Sequence, residues 1–305
     1  MISRNSKGVY VIAATPFTDD GALDLVSTDR MVDFYLDAGV TGMTILGIMG
    51  EAPKLTSDEQ LSFARHVLAR VAGRVPVVVG VSGPGLDNMK RLSTEVMAAG
   101  AEGVMVAPMP GLNTDAKQKG YFAQVCEVLG GDVPICLQDF PQTLGVHFST
   151  ETLLDIFHAH EQIVMFKHED WPGLTKLSRI RAAFPVGALS ILTGNAGLFL
   201  PLELQRGADG AMTGFAYPEM MVQVTERHAA GNVDGAEDIF DAYLPLVRYE
   251  QQLGLGLAIR KEILHRRGVL SSPKVRVPGP SLSALDKVEL TRLSDRLATK
   301  LAALA

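Results

Sequence analysis

Short apolar runs alternate along the chain with longer stretches in which apolar residues recur every three or four positions. The short runs hold five to eight residues and are rich in valine and isoleucine. Runs of this length and composition are typical of strands buried on both faces of a parallel sheet. We predict eight of these strands, at residues 8–15, 42–47, 75–80, 103–107, 133–139, 163–167, 188–193 and 210–214.

The stretches between the apolar runs have the spacing of amphipathic helices. One opens with the capping-box sequence from Thr56 to Glu59, and another ends at Gly39, a residue type common just after helix C-termini. We predict helices at residues 23–38, from 56 onward, and at 88–99, 117–129, 150–160, 174–184, 197–205 and 218–230.

Eight strands that alternate with eight helices, at 25 to 30 residues per repeat, indicate an α/β protein with the (β/α)8 or TIM-barrel fold. A doubly wound open sheet is the alternative, but it rarely reaches eight repeats with so little insertion. The first strand is also not followed by the GxGxxG sequence of dinucleotide-binding sheets. The barrel is therefore favoured.

The alternation stops near residue 231. The remaining chain has helical spacing at residues 234–253, 257–268 and 283–305, with proline-containing segments between the last two. We predict a catalytic barrel at residues 1–230 and a C-terminal helical region at residues 231–305 that packs beside it and covers a barrel face or a subunit contact.

Composition excludes several classes of function. The net charge of −6 and the pI near 5.7 argue against a nucleic-acid partner, which would usually require a basic patch. No apolar run approaches the roughly 20 residues of a membrane span, and no signal-peptide core is present, so we expect a cytoplasmic protein. The two cysteines and seven histidines show no metal-ligand spacing, so we expect no metal.

The sixth predicted strand runs directly into Lys167. Lysine is rarely buried, and the strand could simply end at Phe166 with the lysine in water. In a barrel, however, the chemistry gathers at the C-terminal ends of the strands, which places Lys167 at the centre of a site. Desolvation there would favour the neutral amine, which can attack a carbonyl and form a Schiff base.

Several segments resemble the dihydrodipicolinate synthase / N-acetylneuraminate lyase family. They are residues 15–17, 19–21, 38–42, 46–51, 134–145, 166–169 and 207–210. The resemblance implies a barrel with three C-terminal helices, and an imine between a lysine and the 2-oxo group of pyruvate or a longer 2-oxo acid. It also implies no cofactor beyond this covalent imine, a small-molecule 2-oxo acid as partner, and a homotetramer.

By this resemblance Lys167 is the Schiff-base lysine, and the loop of Gly47, Gly50 and Glu51 binds the substrate carboxylate. The catalytic candidates are Lys167, Gln138 and Asp139. Together with other strand ends, the substrate-binding candidates are Thr15, Gly47, Ile48, Met49, Gly50, Glu51, Thr193 and Met212.

The chain departs from the synthases and aldolases of the family at four places. Gln138 stands where they carry a tyrosine, and an amide cannot relay protons because it does not titrate. Ile48 and Met49 replace a pair of threonines, Thr143 replaces an arginine, and a second tyrosine position falls at residues 109–110. A true dihydrodipicolinate synthase is therefore not expected.

The Gln-Asp end of strand five resembles the 2-keto-3-deoxy-L-arabonate dehydratase branch of the family. The hypothesis is an imine on Lys167 that acidifies the C3 proton of a 2-keto-3-deoxy sugar acid, followed by loss of the C4 hydroxyl. Asp139 is the first candidate for proton handling, with Glu51 and His168 after it. Because alternate residues of a strand face opposite sides, only one of Gln138 and Asp139 should line the site.

Two alternatives stay open at this point. The first is a pyruvate-dependent aldolase or synthase of the dihydrodipicolinate synthase type, which would use the same imine to make or break a C–C bond. The second is a 2-oxo acid binding protein without catalysis, which would explain the missing tyrosine, threonines and arginine.

The lysine can be tested directly. If Lys167 serves chemistry and not folding, the Lys167→Ala variant should lose turnover completely while its circular dichroism spectrum and thermal unfolding stay close to those of the wild type. A variant that fails to fold would instead indicate a structural lysine.

Overall fold

The computed structural model describes residues 1–304 and has a closed barrel of eight parallel strands in chain order, which confirms the predicted (β/α)8 fold. Each strand pairs with its neighbours in sequence, and β8 pairs back to β1. The strands are β1 (Gly8–Ile12), β2 (Gly42–Ile45), β3 (Val77–Gly80), β4 (Gly103–Val106), β5 (Ile135–Asp139), β6 (Ile163–His168), β7 (Ser190–Thr193) and β8 (Gly210–Ala211).

Helices surround the barrel and continue beyond it. They are α1 (Leu25–Asp37), α2 (Ser57–Val71), α3 (Leu86–Ala98), α4 (Asp115–Leu129), α5 (Pro141–Leu144), α6 (Thr150–Ala159), α7 (Leu174–Ala183), α8 (Leu200–Gln205), α9 (Pro218–Ala229), α10 (Val233–Glu250), α11 (Gly256–Arg266) and α12 (Ala284–Leu304). The short helix α5 was not predicted, and the predicted end of the last helix, Ala305, lies outside the described residues. No helix in residues 1–304 has both the length and the apolar character that a membrane span requires.

Two apolar layers hold the barrel together. Alternate strand residues point inward and fill its centre with a buried cluster. The opposite faces of the same strands pack against the helices in a larger core. The inner cluster consists of Ile2, Tyr10, Ile12, Val78, Met105, Cys136, Met165, Leu192 and Met212.

The first and last strands are shorter than predicted. We expected β1 to reach Thr15 and β8 to reach Gly214, but their strand assignments end at Ile12 and Ala211. The carbonyl of Thr15 accepts a hydrogen bond from Lys261, and the carbonyl of Gly214 accepts one from Arg260. Side chains of α11 therefore take the place of strand partners at this end of the barrel.

The three helices after the barrel continue its outer layer and reach its open end. Helix α10 packs along α9, and α12 packs along α10. Helix α11 carries Arg260 and Lys261, which are both buried and both contact loops that follow barrel strands. The C-terminal part of the chain thus contributes directly to the mouth of the barrel.

A strained residue directs the chain out of β2 toward that mouth. Leu46 has a φ of 55°, a left-handed conformation that is uncommon for a residue other than glycine. Its carbonyl lies against Gly80 at the end of β3, where an added Cβ would come within 2.2 Å of the Leu46 oxygen. Glycine at position 80 therefore leaves the space that the loop after β2 needs.

We expect Gly80→Ala to lower the free energy of unfolding by about 1 to 3 kcal/mol, because the new methyl group meets backbone that cannot easily retreat. Gly120→Ala is the matched control, since Gly120 lies inside α4 with nothing near its Cβ position. This control should be neutral or stabilising by up to about 1 kcal/mol. Equal urea midpoints for the two variants would contradict this account of the loop.

Candidate active site

A cavity of about 280 Å³ opens at the C-terminal ends of the barrel strands. Its walls come from strand ends, from the loop after β2, and from the segment between α10 and α11. The charged side chains on its walls are Lys167, Glu169, Glu250 and Arg260. Two acids and two bases thus face a space that could hold a small organic molecule.

Lys167 and Glu169 form the central contact of the cavity. They are two residues apart at the end of β6, so both point inward while His168 points outward. The Lys167 Nζ lies 2.9 Å from Glu169 Oε1, and the two side chains are only 5% and 6% exposed. An amine and a carboxylate are therefore in contact at a position that is largely excluded from solvent.

Gln138 completes this contact from the neighbouring strand. It is the register partner of Lys167 on the parallel strand β5, so the two side chains stand side by side. The Gln138 Nε2 donates a hydrogen bond to Glu169 Oε1 over 2.7 Å. Gln138 therefore takes the inward position on β5, and its role is to orient the carboxylate because its amide cannot titrate.

The loop after β7 fixes Glu169 from its other side. The Asn195 side chain donates to the Glu169 carbonyl over 3.2 Å. Asn195 and Ala196 both have positive φ, at 52° and 54°, and strained backbone of this kind often occurs at functional sites. A Cβ at Gly194 would lie 2.1 Å from the Glu169 side chain, so only glycine leaves room for it.

Asp139 lies on the other face of β5, which corrects the expectation that it handles protons at the imine. Its carboxylate forms an ion pair with Lys176 on α7 over 2.7 Å, and the Lys176 amine also contacts Asp170 over 2.9 Å. Burial raises the pKa of Asp139 to about 6, although the adjacent Lys176 favours its charged form. This group holds the barrel to α7 and does not face Lys167.

His168, the other candidate for proton handling, also points away from the cavity. Its Nε2 lies 2.9 Å from the carbonyl oxygen of Gly173. Burial lowers the pKa of His168 to about 4, so the ring is neutral at pH 7. It has a packing role between β6 and the loop before α7.

The loop after β2 contributes side chains to two adjacent cavities. Ile48 and Met49 line the central cavity, as does Thr143, which stands at the family's arginine position. Gly47 lines a neighbouring apolar cavity of about 360 Å³, together with Met109. The structure thus brings apolar groups to the places where the synthases of the family carry hydroxyls.

Thr15, Gly50 and Glu51 stabilise this loop from behind and do not line the central cavity. The Thr15 hydroxyl donates to the Gly50 carbonyl over 2.5 Å. Glu51 is 2% exposed and pairs with Lys261 over 2.5 Å, and it accepts a hydrogen bond from the Arg276 backbone N–H. The family's carboxylate loop is therefore tied to the C-terminal part of the chain through Glu51.

The last two predicted substrate-binding residues also lie outside the central cavity. The Thr193 hydroxyl faces away from the barrel centre, 3.4 Å from the Gly210 carbonyl. Met212 belongs to the apolar cluster that fills the barrel. Both support the floor or wall of the site without touching its space.

Three acidic or basic residues of the cavity were missed as site residues. Glu169 could have been found, because the alternation of a strand places it on the same side as Lys167. Glu250 and Arg260 gave no local signal, since they lie on helices whose contact with the barrel depends on the whole fold. No group of three or more His, Cys, Asp or Glu side chains in residues 1–304 is arranged to hold a metal ion.

A protein-family model and a curated relative both match nearly the whole chain. The model of the Dihydrodipicolinate synthetase family matches residues 5–296. An L-2-keto-3-deoxyarabonate dehydratase from Azospirillum brasilense is 32% identical over 298 residues, which are 95% of this chain and 94% of that protein.

Solved structures of the same family are also similar to this chain over nearly its whole length. The crystal structure of a dihydrodipicolinate synthase from Rhodopseudomonas palustris is 48% identical, with a TM-score of 0.94 and coverage of 97% of this chain and 99% of that one. A prophage protein of the dihydrodipicolinic acid synthase family from E. coli K12, in complex with pyruvate, is 27% identical. Its TM-score is 0.87, over 96% of this chain and 98% of that one.

The raised pKa of Asp139, in its buried ion pair with Lys176, predicts that the stability of the protein depends on pH. An acid whose pKa is higher in the folded than in the unfolded state adds stability at low pH, and this stability is lost as the pH rises through the folded pKa. We expect the free energy of unfolding of the wild type, relative to Asp139→Asn, to fall by about 2 to 3 kcal/mol between about pH 4 and about pH 7.

Urea denaturation at several pH values measures this difference. Asp132→Asn, at an exposed position, is the matched control and should show no such fall. A difference for Asp139→Asn that stays constant or rises over this range would contradict the placement of a buried, proton-binding carboxyl here.

Proposed function

Because this chain belongs to the dihydrodipicolinate synthetase family, whose members are lyases, we propose that it dehydrates a 2-keto-3-deoxy sugar acid through an imine on Lys167. The observation that carries this proposal is the buried contact of Lys167 with Glu169, with Gln138 beside it. This cluster supplies an amine for the imine and a carboxylate for proton transfer, but no tyrosine.

The reaction begins at the amine. Lys167 Nζ attacks the 2-oxo carbon, and water leaves to form the imine. Glu169, in contact with Nζ, takes up the proton that the ammonium releases and passes it to the former 2-oxo oxygen, which leaves as water, so that Glu169 is a carboxylate again before the next step. The protonated imine then withdraws electrons from C3 and makes its proton acidic.

Glu169 also lies within reach of the next proton. C3 is two bonds from the imine nitrogen, so a carboxylate that contacts Nζ can reach the C3 hydrogen. Glu169 removes that proton and then returns it to the C4 hydroxyl, which leaves as water. Hydrolysis of the unsaturated imine and tautomerisation release the product and the free lysine, with the net loss of one water.

The substrate carboxylate has a binding place opposite the lysine. Ile48 and Met49 begin a short 3₁₀ turn at the cavity wall. With apolar side chains at both positions, the backbone N–H groups of this turn are the remaining donors, in place of the threonine hydroxyls of the synthases. The carboxylate would bind there while C2 reaches Lys167.

The dehydratase from Azospirillum brasilense supports this choice of reaction at 32% identity. The alternative is an aldolase or synthase of the dihydrodipicolinate synthase type, and the 48% identical Rhodopseudomonas palustris protein supports it. Gln138 and Thr143 favour dehydration, because the cavity has neither the tyrosine nor the arginine that the synthases use. Since the family consists of enzymes, a binding protein without catalysis is not retained.

The proposal also covers the cofactor, the cellular location and the assembly of the protein. The covalent imine serves in place of any cofactor, the enzyme is cytoplasmic, and it assembles as a homotetramer as in the family it resembles. Sedimentation analysis of the purified protein tests the assembly, and a monomer or dimer would contradict it.

Product analysis separates the two reactions. With 2-keto-3-deoxyarabonate, dehydration gives 2-oxoglutarate semialdehyde, whereas retro-aldol cleavage gives pyruvate and glycolaldehyde. Mass spectrometry of the products should show the semialdehyde alone. Pyruvate as the main product would establish the aldolase, and no turnover of this or any related 3-deoxy acid would overturn the proposal.

We expect Glu169→Gln to lower turnover by about 10²- to 10⁴-fold, the usual contribution of a general base. The variant should still form the imine, because Lys167 is retained. Glu219→Gln, at a surface pair with Arg267, is the matched control and should keep wild-type turnover. Turnover of Glu169→Gln within a few-fold of the wild type would exclude Glu169 as the base.

A further inference from the structure

Lys261 is a buried lysine that no step of the proposed reaction uses. It lies on α11 with 0% exposure, although lysine is almost never fully buried without partners. Its ammonium has one acceptor for each of its three N–H donors: the Thr15 carbonyl at 2.8 Å, Glu51 Oε1 at 2.5 Å and the Lys274 carbonyl at 2.8 Å. An ammonium so fully paired has no donor left for a ligand, so Lys261 acts through the residues that it holds.

Two of these partners lead to the loop that the proposed reaction uses for the substrate carboxylate, residues 47–51, called here the carboxylate turn. Thr15, whose carbonyl is bound by Lys261, donates its hydroxyl to the Gly50 carbonyl. Glu51 is bound by Lys261 through its own carboxylate. The last two residues of the carboxylate turn are thus both connected to one buried ammonium.

The last two residues of the carboxylate turn also determine which N–H groups it presents. The N–H groups of Gly50 and Glu51 close the turn by donating to the carbonyls of Gly47 and Ile48, over 3.0 and 3.1 Å. The N–H groups of Ile48 and Met49 have no acceptor within residues 1–304, and both residues line the central cavity. Because the two closing bonds fix the direction of these free N–H groups, a shift of Glu51 would move the donors that face the substrate.

The backbone of Glu51 needs outside support to keep its position. Its φ of 56° lies in the left-handed region, which is unfavourable for a residue other than glycine unless the surroundings impose it. The carboxylate is held at both oxygens, since Oε1 contacts Lys261 while Oε2 accepts from Lys54 Nζ at 2.9 Å and from the Arg276 N–H at 3.0 Å. Contacts on the buried side therefore keep this strained residue in place.

The charges behind the carboxylate turn favour an anion in front of it. Lys54 and Lys261 both pair with Glu51, and Arg276 pairs with Glu59. Three cations against two carboxylates leave one net positive charge in this cluster. In surroundings of low dielectric constant, this charge attracts a carboxylate more strongly than it would in water.

We infer that Lys261 is a positioning residue, which sets the affinity of the carboxylate turn for the carboxylate of the 2-oxo acid by holding the last two residues of the turn. This inference rests on the proposed function, which places that carboxylate at the N–H groups of Ile48 and Met49. Lys261 does not touch the substrate. Loss of its ammonium should weaken the binding of a carboxylate and leave the imine chemistry of Lys167 unchanged.

Borohydride trapping of the imine with pyruvate and with acetone tests this inference. Acetone is pyruvate with a methyl group in place of the carboxylate, so the ratio of the two half-maximal concentrations measures carboxylate binding. For the wild type, we expect half-maximal trapping at an at least about tenfold lower concentration of pyruvate than of acetone. In Lys261→Met this preference should fall by about tenfold, about the contribution of one hydrogen bond to a charged group. The half-maximal acetone concentration and the extent of trapping at saturating pyruvate should stay at the wild-type values, because Lys167 is retained.

Lys176→Met is the matched control. It removes another buried ammonium, which pairs with Asp139 and Asp170 on the outer face of the barrel and has no contact with the carboxylate turn. This variant should lose stability but keep the wild-type preference for pyruvate. An equal fall of the preference in both variants would indicate a general loosening of the fold and overturn the inference, as would an unchanged preference in Lys261→Met.

Glu51→Gln is the second variant, for the case that Lys261→Met does not fold. It keeps the shape of the side chain but removes the charge that Lys261 and Lys54 contact. Its preference for pyruvate over acetone should fall several-fold. A preference equal to that of the wild type would overturn the inference.

The wild type separates a failure of this inference from a failure of the proposed function. Adducts that form on Lys167 with no preference for pyruvate over acetone would overturn the carboxylate turn and the role of Lys261, and would leave the imine intact. The absence of any adduct with either compound would overturn the imine itself, and with it the proposed function.

Discussion

The buried pair of Lys167 and Glu169 is the contact around which the mouth of the barrel is built. Bringing a lysine and a carboxylate out of water costs free energy that their attraction alone often does not offset. Here Gln138 and the loop at Gly194 and Asn195 hold the carboxylate in place. Such a site holds an amine and a carboxylate in fixed positions before a ligand binds, as the proposed imine chemistry requires.

The C-terminal helices are part of this arrangement and not an appendix to the barrel. Lys261 joins the Thr15 carbonyl to Glu51, and thereby ties the first strand to the loop after the second. Arg260 joins Glu250 to the end of the eighth strand at Gly214. Neighbouring residues of one helix thus brace two sides of the cavity, so the tail and the barrel form a single functional unit.

The barrel fold and the position of Lys167 could be predicted from the sequence, because they depend on local patterns that recur along the chain. The alternation of apolar runs and helical stretches specified the barrel, and a lysine at a strand end stood out as the site. Strand alternation also places Glu169, two residues after Lys167, on the same side as that lysine. Whether Gln138 or Asp139 faces inward depends on the register between β5 and β6, and the reach of Arg260 depends on the packing of α11. Neither of these is visible in a local pattern.

The most direct test of this account is to locate the covalent adduct. The protein is treated with pyruvate and borohydride, digested, and examined by tandem mass spectrometry. The account predicts one reduced adduct, on Lys167, and none on the other buried lysines, Lys176 and Lys261. An adduct on either of those residues, or no adduct on Lys167, would contradict the central role given to the lysine at the end of the sixth strand.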